Sequence, residues 1–67
     1  MKQNLTNMEL EVLKLVAFGI NNQEISKKLS ISIHTTKSHL ENIYRKLEVH
    51  NKIQALVYAI SNNIIQL

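Results

Sequence analysis

The sequence predicts an all-α, four-helix bundle-like domain. Three observations lead to this prediction: apolar residues recur at helical spacing along most of the chain, residues that cap helix N-termini precede four of these stretches, and no segment alternates as a half-buried strand does. No proline interrupts the pattern, and no polar low-complexity tract divides it. Residues 1–67 are therefore expected to form one domain.

The first helix is expected over residues 7–18. Thr6 and Glu9 have the spacing of a capping box, in which each side chain accepts a hydrogen bond from the other residue's backbone N–H. Gly19 is the only glycine of the chain and stands where a left-handed residue closes a helix C-terminus. The apolar stripe between these signals consists of Leu10, Leu13, Val16, Ala17 and Ile20.

A short second helix, expected over residues 22–29, and a longer third helix, expected over residues 33–47, follow each other almost without a loop. Asn21 and Ser32 are the expected N-caps of these two helices. Only the segment 30–32 remains between them, which is too short for an independent loop. Two helices joined this tightly form a helix-turn-helix.

The third helix has two contrasting faces. One face is apolar and is expected to be buried; it consists of Ile33, Thr36, Leu40, Ile43 and Leu47, with Tyr44 at its flank. The opposite face is polar; it consists of His34, Ser38, Glu41 and Arg45, flanked by Lys37 and Asn42. Polar side chains of this size suit the major groove, so the segment is interpreted as a DNA recognition helix.

The fourth helix is expected over residues 52–62, since Asn51 and Gln54 supply a further capping box. This helix carries two apolar stripes. The first consists of Ile53, Leu56, Val57 and Ile60, and the second of Ala55, Tyr58 and Ala59. One helix cannot bury both stripes in a small core, so the excess apolar surface predicts a homodimer through this C-terminal helix. The periodicity leaves open which stripe faces inward.

Composition and charge narrow the range of functions. The formal net charge is +3, and residues 27–52 contain six basic and two acidic residues, which favours a polyanionic partner on one side of the molecule. An ordinary solvated basic face would give the same count. The chain lacks a membrane-spanning run and a signal peptide, so a cytoplasmic location without membrane contact is expected.

Several chemical functions are not expected. The chain contains neither Cys nor Asp, and a single glycine is too few for a phosphate-binding loop, which disfavours an enzyme. His34 and His39 are five residues apart and point to different helix faces, so neither they nor His50 are expected to bind a metal. A chain of 67 residues also leaves little room for an internal cavity, so no cofactor or small-molecule ligand is expected.

Taken together, these residues resemble the LuxR/GerE-type DNA-binding domain from Leu5 to about Leu67. The opening and middle patterns of that family match Leu5-Thr6, Glu9, Gly19, Asn22, Glu24-Ile25 and Leu29. Its recognition pattern matches Ile31-Ser32, Thr35, Lys37, His39, Asn42-Ile43-Tyr44 and Lys46-Leu47, followed by Val49, Asn51 and Gln54-Ala55. The chain departs from the family at Met8, Ser26, Thr36 and Lys52, where Arg, Ala, Val and Arg are usual.

The resemblance implies DNA-binding transcription regulation, with the third helix in the major groove and the fourth helix making a homodimer contact. Such domains are output ends of response regulators and quorum-sensing receptors, and a few similar proteins stand alone. The family pattern places Ala55 and Leu56 toward the core and leaves a partner face of Ile53, Val57, Tyr58 and Ile60. Ser26 and Thr36 replace apolar residues, so each hydroxyl is expected to bond a backbone carbonyl one turn earlier.

The candidate DNA contacts are His34, Thr35, Lys37, Ser38, Glu41, Asn42, Arg45 and Lys46 on the third helix and Lys27 on the second. Lys37 can reach a phosphate or a guanine edge, and Glu41 can accept a hydrogen bond from cytosine N4. Arg45 and the other basic residues are phosphate candidates by charge. The alternative for each is an ordinary solvated residue, and for Thr35 it is local capping of the helix.

The leading hypothesis is a sequence-specific DNA-binding transcription regulator that binds double-stranded DNA as a homodimer. The alternative is a protein-interaction module that keeps this fold and pairs with another regulator through its fourth helix. Glu41 on the groove face and the modest net charge keep the alternative open. The sequence does not decide which operator is bound, whether the protein activates or represses, or which signal controls it. It also does not decide whether the chain stands alone or is the C-terminal domain of a longer regulator.

Overall fold

The computed structural model of the protein describes residues 4–66, and these residues contain four helices and no strand. The helices are α1 (Asn7–Ala17), α2 (Asn22–Leu29), α3 (Ile33–Leu47) and α4 (Lys52–Ser61). The predicted all-α fold is confirmed, and each predicted helix boundary lies within one residue of the observed one.

Side-chain caps begin all four helices, as the sequence predicted. The capping box predicted for Asn51 and Gln54 is only half formed, because Gln54 Oε1 accepts from the backbone N–H of His50 at 2.8 Å and not from that of Asn51. At α1 the backbone N–H of Thr6 donates to Glu9 Oε1 at 2.9 Å, and the backbone N–H of Glu9 donates to Thr6 Oγ1 at 3.1 Å. Asn21, Ser32 and Asn51 each accept from the backbone N–H three residues later, at 2.9 Å in each case. These bonds satisfy donors that the helix itself leaves unpaired.

Left-handed residues follow all four helices. Gly19 has a φ of 82° just after α1, as its position predicted, whereas Ser30 after α2 and Glu48 after α3 adopt φ values of 56° and 58° without being glycine. At these two caps the helix closes with a bond from the next residue, Ile31 N–H to Ser26 O at 3.0 Å and Val49 N–H to Tyr44 O at 2.9 Å. The chain therefore turns sharply out of α2 and α3.

The third helix is the centre of the domain, because it contacts each of the other three helices. The buried apolar core consists of Val12, Leu13, Val16, Ile25, Leu40, Ile43, Leu47, Ala55, Ala59 and Ile65. On α4 the alanine stripe faces inward, which answers the question that periodicity left open. The small side chains of Ala55 and Ala59 let α4 pack closely on the core.

The last residue of this core was not predicted. After α4 the chain turns at Asn63, which has a φ of 58°, and the backbone N–H of Ile64 donates to Ala59 O at 2.8 Å. Ile65 is thereby folded back and is 2% exposed. The short segment after α4 thus closes one end of the core.

Candidate nucleic-acid interface

The two helices of the helix-turn-helix are tied together by a buried polar contact. Ser26 Oγ on α2 lies 2.7 Å from Thr36 Oγ1 on α3. The predicted bonds to the preceding turns are also confirmed: Ser26 Oγ lies 2.8 Å from Asn22 O, and Thr36 Oγ1 lies 3.2 Å from Ser32 O. The two hydroxyls therefore share two protons among three contacts, and the sequence did not predict the contact between them.

An exposed stripe runs along the outer side of α3. It consists of Ile33, Lys37, Glu41 and Arg45, which follow one another at intervals of four residues and are all exposed. His34 is exposed beside the start of this stripe, and Thr35, Ser38 and Asn42 are half-buried along its edges. Residues four apart are neighbours on a helix surface, so these side chains form one continuous face.

Ile33 corrects the sequence-based expectation, which placed it in the core. Its side chain is 43% exposed, whereas Thr36 is fully buried. At about 100° per residue, Ile33 is rotated about 20° from the buried Leu40 and about 40° from the exposed Lys37. The helical angle therefore does not decide between the two faces, and Ile33 is exposed together with Ser32 and His34 at the start of α3.

Two of the candidate DNA contacts are bonded to each other. Arg45 Nη2 donates to Asn42 Oδ1 at 2.9 Å on the exposed side of α3. Glu41 is four residues from both Lys37 and Arg45, yet among residues 4–66 it forms no ion pair. Its carboxylate therefore remains available to a partner outside the domain.

Lys46 has a partner inside the domain. Its Nζ lies 2.7 Å from Glu9 Oε1 on α1, and the two side chains are 15% and 5% exposed. Burial opposes ionisation of the Glu9 carboxyl, but the hydrogen bond from Lys46 and the bonds at Thr6 outweigh this effect, so the pKa of Glu9 is lowered. The ion pair fixes α1 to the end of α3. Lys46 thus stands apart from the exposed stripe, and its phosphate contact stays a prediction.

The remaining candidates occupy separate positions. Thr35 takes part in capping, because its hydroxyl accepts from Ser32 Oγ at 2.9 Å. Lys27 is exposed on α2 rather than on α3. Tyr44 is half-buried beside the core, and burial raises the pKa of its hydroxyl. The α3 stripe is therefore the continuous part of the candidate interface, with Lys27 on the neighbouring helix.

The fourth helix presents a second candidate surface. Ile53, Val57 and Ile60 are 74%, 59% and 42% exposed on the side of α4 that faces away from the alanine stripe. An open, mainly apolar groove runs along this region, lined by Val49, Ile53, Gln54, Val57, Tyr58, Ser61 and Asn62. Tyr58 is half-buried at the groove wall. Three of the four predicted dimerisation residues are thus exposed together.

Residues 4–66 contain neither a metal-binding cluster nor a membrane-spanning helix. No group of three or more metal-binding side chains lies close together in this part of the chain. None of the helices described there has the length and apolar character needed to cross a bilayer.

A helix-turn-helix whose second helix exposes a polar, partly basic face is typical of DNA-binding helix-turn-helix regulators, and this chain has both features. The model for bacterial regulatory proteins of the luxR family matches residues 3–59. The chain therefore belongs to the luxR family, which confirms the resemblance seen in the sequence. The fold and the family support a DNA-binding transcription regulator.

The relatives of this chain include response regulators. The response regulator protein VraR of Staphylococcus aureus is 48% identical over 62 residues, which cover 92% of this chain and 30% of VraR. VraR of Staphylococcus saprophyticus matches to the same extent. The chain thus spans about a third of the length of these relatives.

Solved structures that share the fold include those of ChrA and VqmA. The response regulator ChrA of a heme-sensing two-component system superimposes with a TM-score of 0.89 at 37% identity, over 97% of this chain and 32% of ChrA. VqmA of Vibrio cholera, solved with ligand and DNA, superimposes with a TM-score of 0.84 at 29% identity, over 92% of this chain and 27% of VqmA. The four-helix arrangement is therefore shared with both proteins.

Proposed function

We propose that this chain is the DNA-reading part of a transcription regulator, that residues 33–47 enter the major groove of double-stranded DNA, and that it binds as a homodimer in the cytoplasm. The observation that carries this proposal is the continuous exposed stripe on α3, the second helix of the helix-turn-helix. The match to response regulators suggests an output function under the control of a signal. No enzymatic activity is proposed.

The side chains on and beside the stripe have complementary roles in this proposal. Lys37, Ser38 and Glu41 lie on or beside the middle of the stripe and are assigned to base edges, with His34 near the leading end. Lys37 donates to acceptors such as guanine O6 and N7, whereas the unpaired carboxylate of Glu41 accepts from cytosine N4. A carboxylate in the groove repels the phosphates unless it accepts such a hydrogen bond. Glu41 is therefore expected to select DNA sites that present a cytosine to it.

Phosphate contacts are assigned to residues near the two ends of α3 and to one residue of α2. The bond from Arg45 to Asn42 holds the guanidinium on the groove side of α3, from which Arg45 reaches the backbone. Lys27 on α2 is exposed, and Thr35 lies at the donor-rich start of α3. Lys46 is expected to stabilise the fold more than to bind DNA, because its ammonium group already pairs with the carboxylate of Glu9.

The homodimer proposal rests on the apolar face of α4. Three large apolar side chains, Ile53, Val57 and Ile60, are exposed within one helix of ten residues. A two-fold interface that pairs this helix with its copy would cover them and would bring two recognition helices to successive turns of DNA. The same surface supports the alternative of pairing with another regulator.

The proposal is tested by fluorescence anisotropy of labelled DNA duplexes at several salt concentrations. We expect affinity to fall steeply as salt rises, because each phosphate contact releases a condensed counterion. Lys37→Ala and Arg45→Ala should both weaken binding, and a lost phosphate contact should reduce the logarithmic salt slope by about one. Lys14→Ala is the matched control, since it removes one exposed positive charge from α1 rather than α3.

The outcomes separate the two functions. Salt-dependent binding that falls in both α3 variants and not in the Lys14 variant would support DNA reading by α3. No binding at low salt by a chain that is folded by circular dichroism would overturn it. In that case the exposed face of α4 would direct the search to a protein partner.

A further inference from the structure

The leading end of the exposed stripe on α3 is apolar. Ile33 is the first residue of α3 and is 43% exposed, in line with Lys37 one turn later. The stripe therefore begins with an aliphatic side chain and continues with charged ones. The hydroxyl of the preceding residue is already used, because Ser32 Oγ bonds the backbone N–H and the hydroxyl of Thr35.

We propose that Ile33 is a specificity-determining residue that contacts the C5-methyl group of a thymine in the major groove. This inference rests on the proposed function, since it requires α3 to enter the groove. It goes beyond that function by assigning one kind of base to one side chain.

The chemistry of the groove supports this assignment. The first residues of a recognition helix are the ones that contact base edges. An aliphatic side chain has no donor or acceptor, so Ile33 gains nothing from a phosphate or from the polar edge of guanine, adenine or cytosine. The thymine methyl is the apolar group that standard bases present in the major groove. Contact between the two would remove apolar surface of both from water.

Deoxyuridine provides a direct probe, because it pairs as thymine does but lacks the methyl group. A preferred duplex is first selected from a random pool with the 67-residue chain. Each thymine is then replaced singly by deoxyuridine, and affinity is measured by anisotropy. We expect one thymine in each half-site at which the replacement weakens binding about four-fold, the effect of burying one methyl group.

Ile33→Ala tests whether Ile33 reads that methyl group. This variant should bind the thymine duplex about four-fold more weakly than the parent chain and should bind the thymine and deoxyuridine duplexes equally. Phe18→Ala is the matched control, because Phe18 is a 69% exposed apolar residue outside α3. It should keep the parent's sensitivity to deoxyuridine.

Two results would overturn the inference while leaving DNA binding intact. One is a parent chain that tolerates deoxyuridine at every thymine, a measurement that needs no variant. The other is an Ile33→Ala variant that keeps the parent's sensitivity at the same position. Absence of salt-dependent binding to any duplex would instead overturn the proposed function, so the two failures are distinguishable.

Discussion

Ser26 Oγ and Thr36 Oγ1 lie 2.7 Å apart between the two helices of the helix-turn-helix, and each is also within bonding distance of a carbonyl of its own helix. Each hydroxyl carries one proton. The two protons must therefore be shared among three contacts, and at least one contact is not a hydrogen bond at any moment. Replacing one hydroxyl leaves the other with its backbone carbonyl as partner.

A double-mutant cycle should reveal this coupling. Ser26→Ala and Thr36→Val introduce the residues usual in the family, and each alone is expected to lower the free energy of unfolding by about 1 kcal/mol. The double variant should be no less stable than either single variant, because both polar groups are then removed from the buried contact. Urea denaturation of the four proteins measures this. Strictly additive losses would contradict the coupling.

The Glu9–Lys46 ion pair should make stability depend on pH. The folded-state pKa of Glu9 is lowered, so its contribution is fully present above the unfolded-state value of about 4.3. That contribution is lost as pH falls through the lower folded-state value. At pH near 7, the free energy of unfolding of Glu9→Gln should be about 1–2 kcal/mol lower than that of the parent. This difference should shrink as pH falls below about 4.

Thermal melts of the parent and of Glu9→Gln between neutral and acid pH measure this difference. Glu11→Gln is the matched control, since Glu11 is an exposed carboxylate on the same helix. Its melting temperature should differ little from that of the parent at neutral pH. An unchanged gap between the parent and Glu9→Gln at all pH values would show that the ion pair does not stabilise the fold through its charge.

Backbone conformation predicts opposite effects at two helix ends. Gly19 has a φ of 82°, and beyond its two chain neighbours no residue comes within 4 Å of the position that a Cβ would occupy. Gly19→Ala should therefore lower the free energy of unfolding by about 1 kcal/mol, through backbone strain and not through a steric clash. Glu48 has a φ of 58°, and Glu48→Gly should stabilise the chain by about 0.5 kcal/mol, because strain relief exceeds the added entropy of the unfolded chain. Chemical denaturation would refute this account if both changes had the same sign.

The apolar face of α4 predicts a specific effect on self-association. Val57→Glu places a charge at a position that is 59% exposed, so the fold should persist. The association constant of a dimer that buries this position should fall at least about ten-fold. Sedimentation equilibrium measures the association constant. Phe18→Glu is the control, because it adds the same charge at a 69% exposed apolar residue outside α4. Equal association of the parent and the Val57 variant would place the interface elsewhere.

The sequence by itself determined the four helices, because the signals that set them are local. Thr6, Asn21, Ser32 and Asn51 bond to N–H groups only three residues away, and Gly19 acts on its own turn. Apolar spacing likewise identified most of the buried side of α3. Such local rules also predicted the backbone bonds of Ser26 and Thr36.

Only the tertiary structure decided which groups meet across helices. Glu9 and Lys46 are 37 residues apart, and neither their ion pair nor the contact of the two hydroxyls follows from spacing along one helix. The inward face of α4 was equally ambiguous, since both stripes are apolar and only packing against α3 selects the small alanines. The exposure of Ile33 depends on how far neighbouring helices cover the first turn of α3. Burial is a property of the assembled helices, whereas capping and periodicity belong to each helix alone.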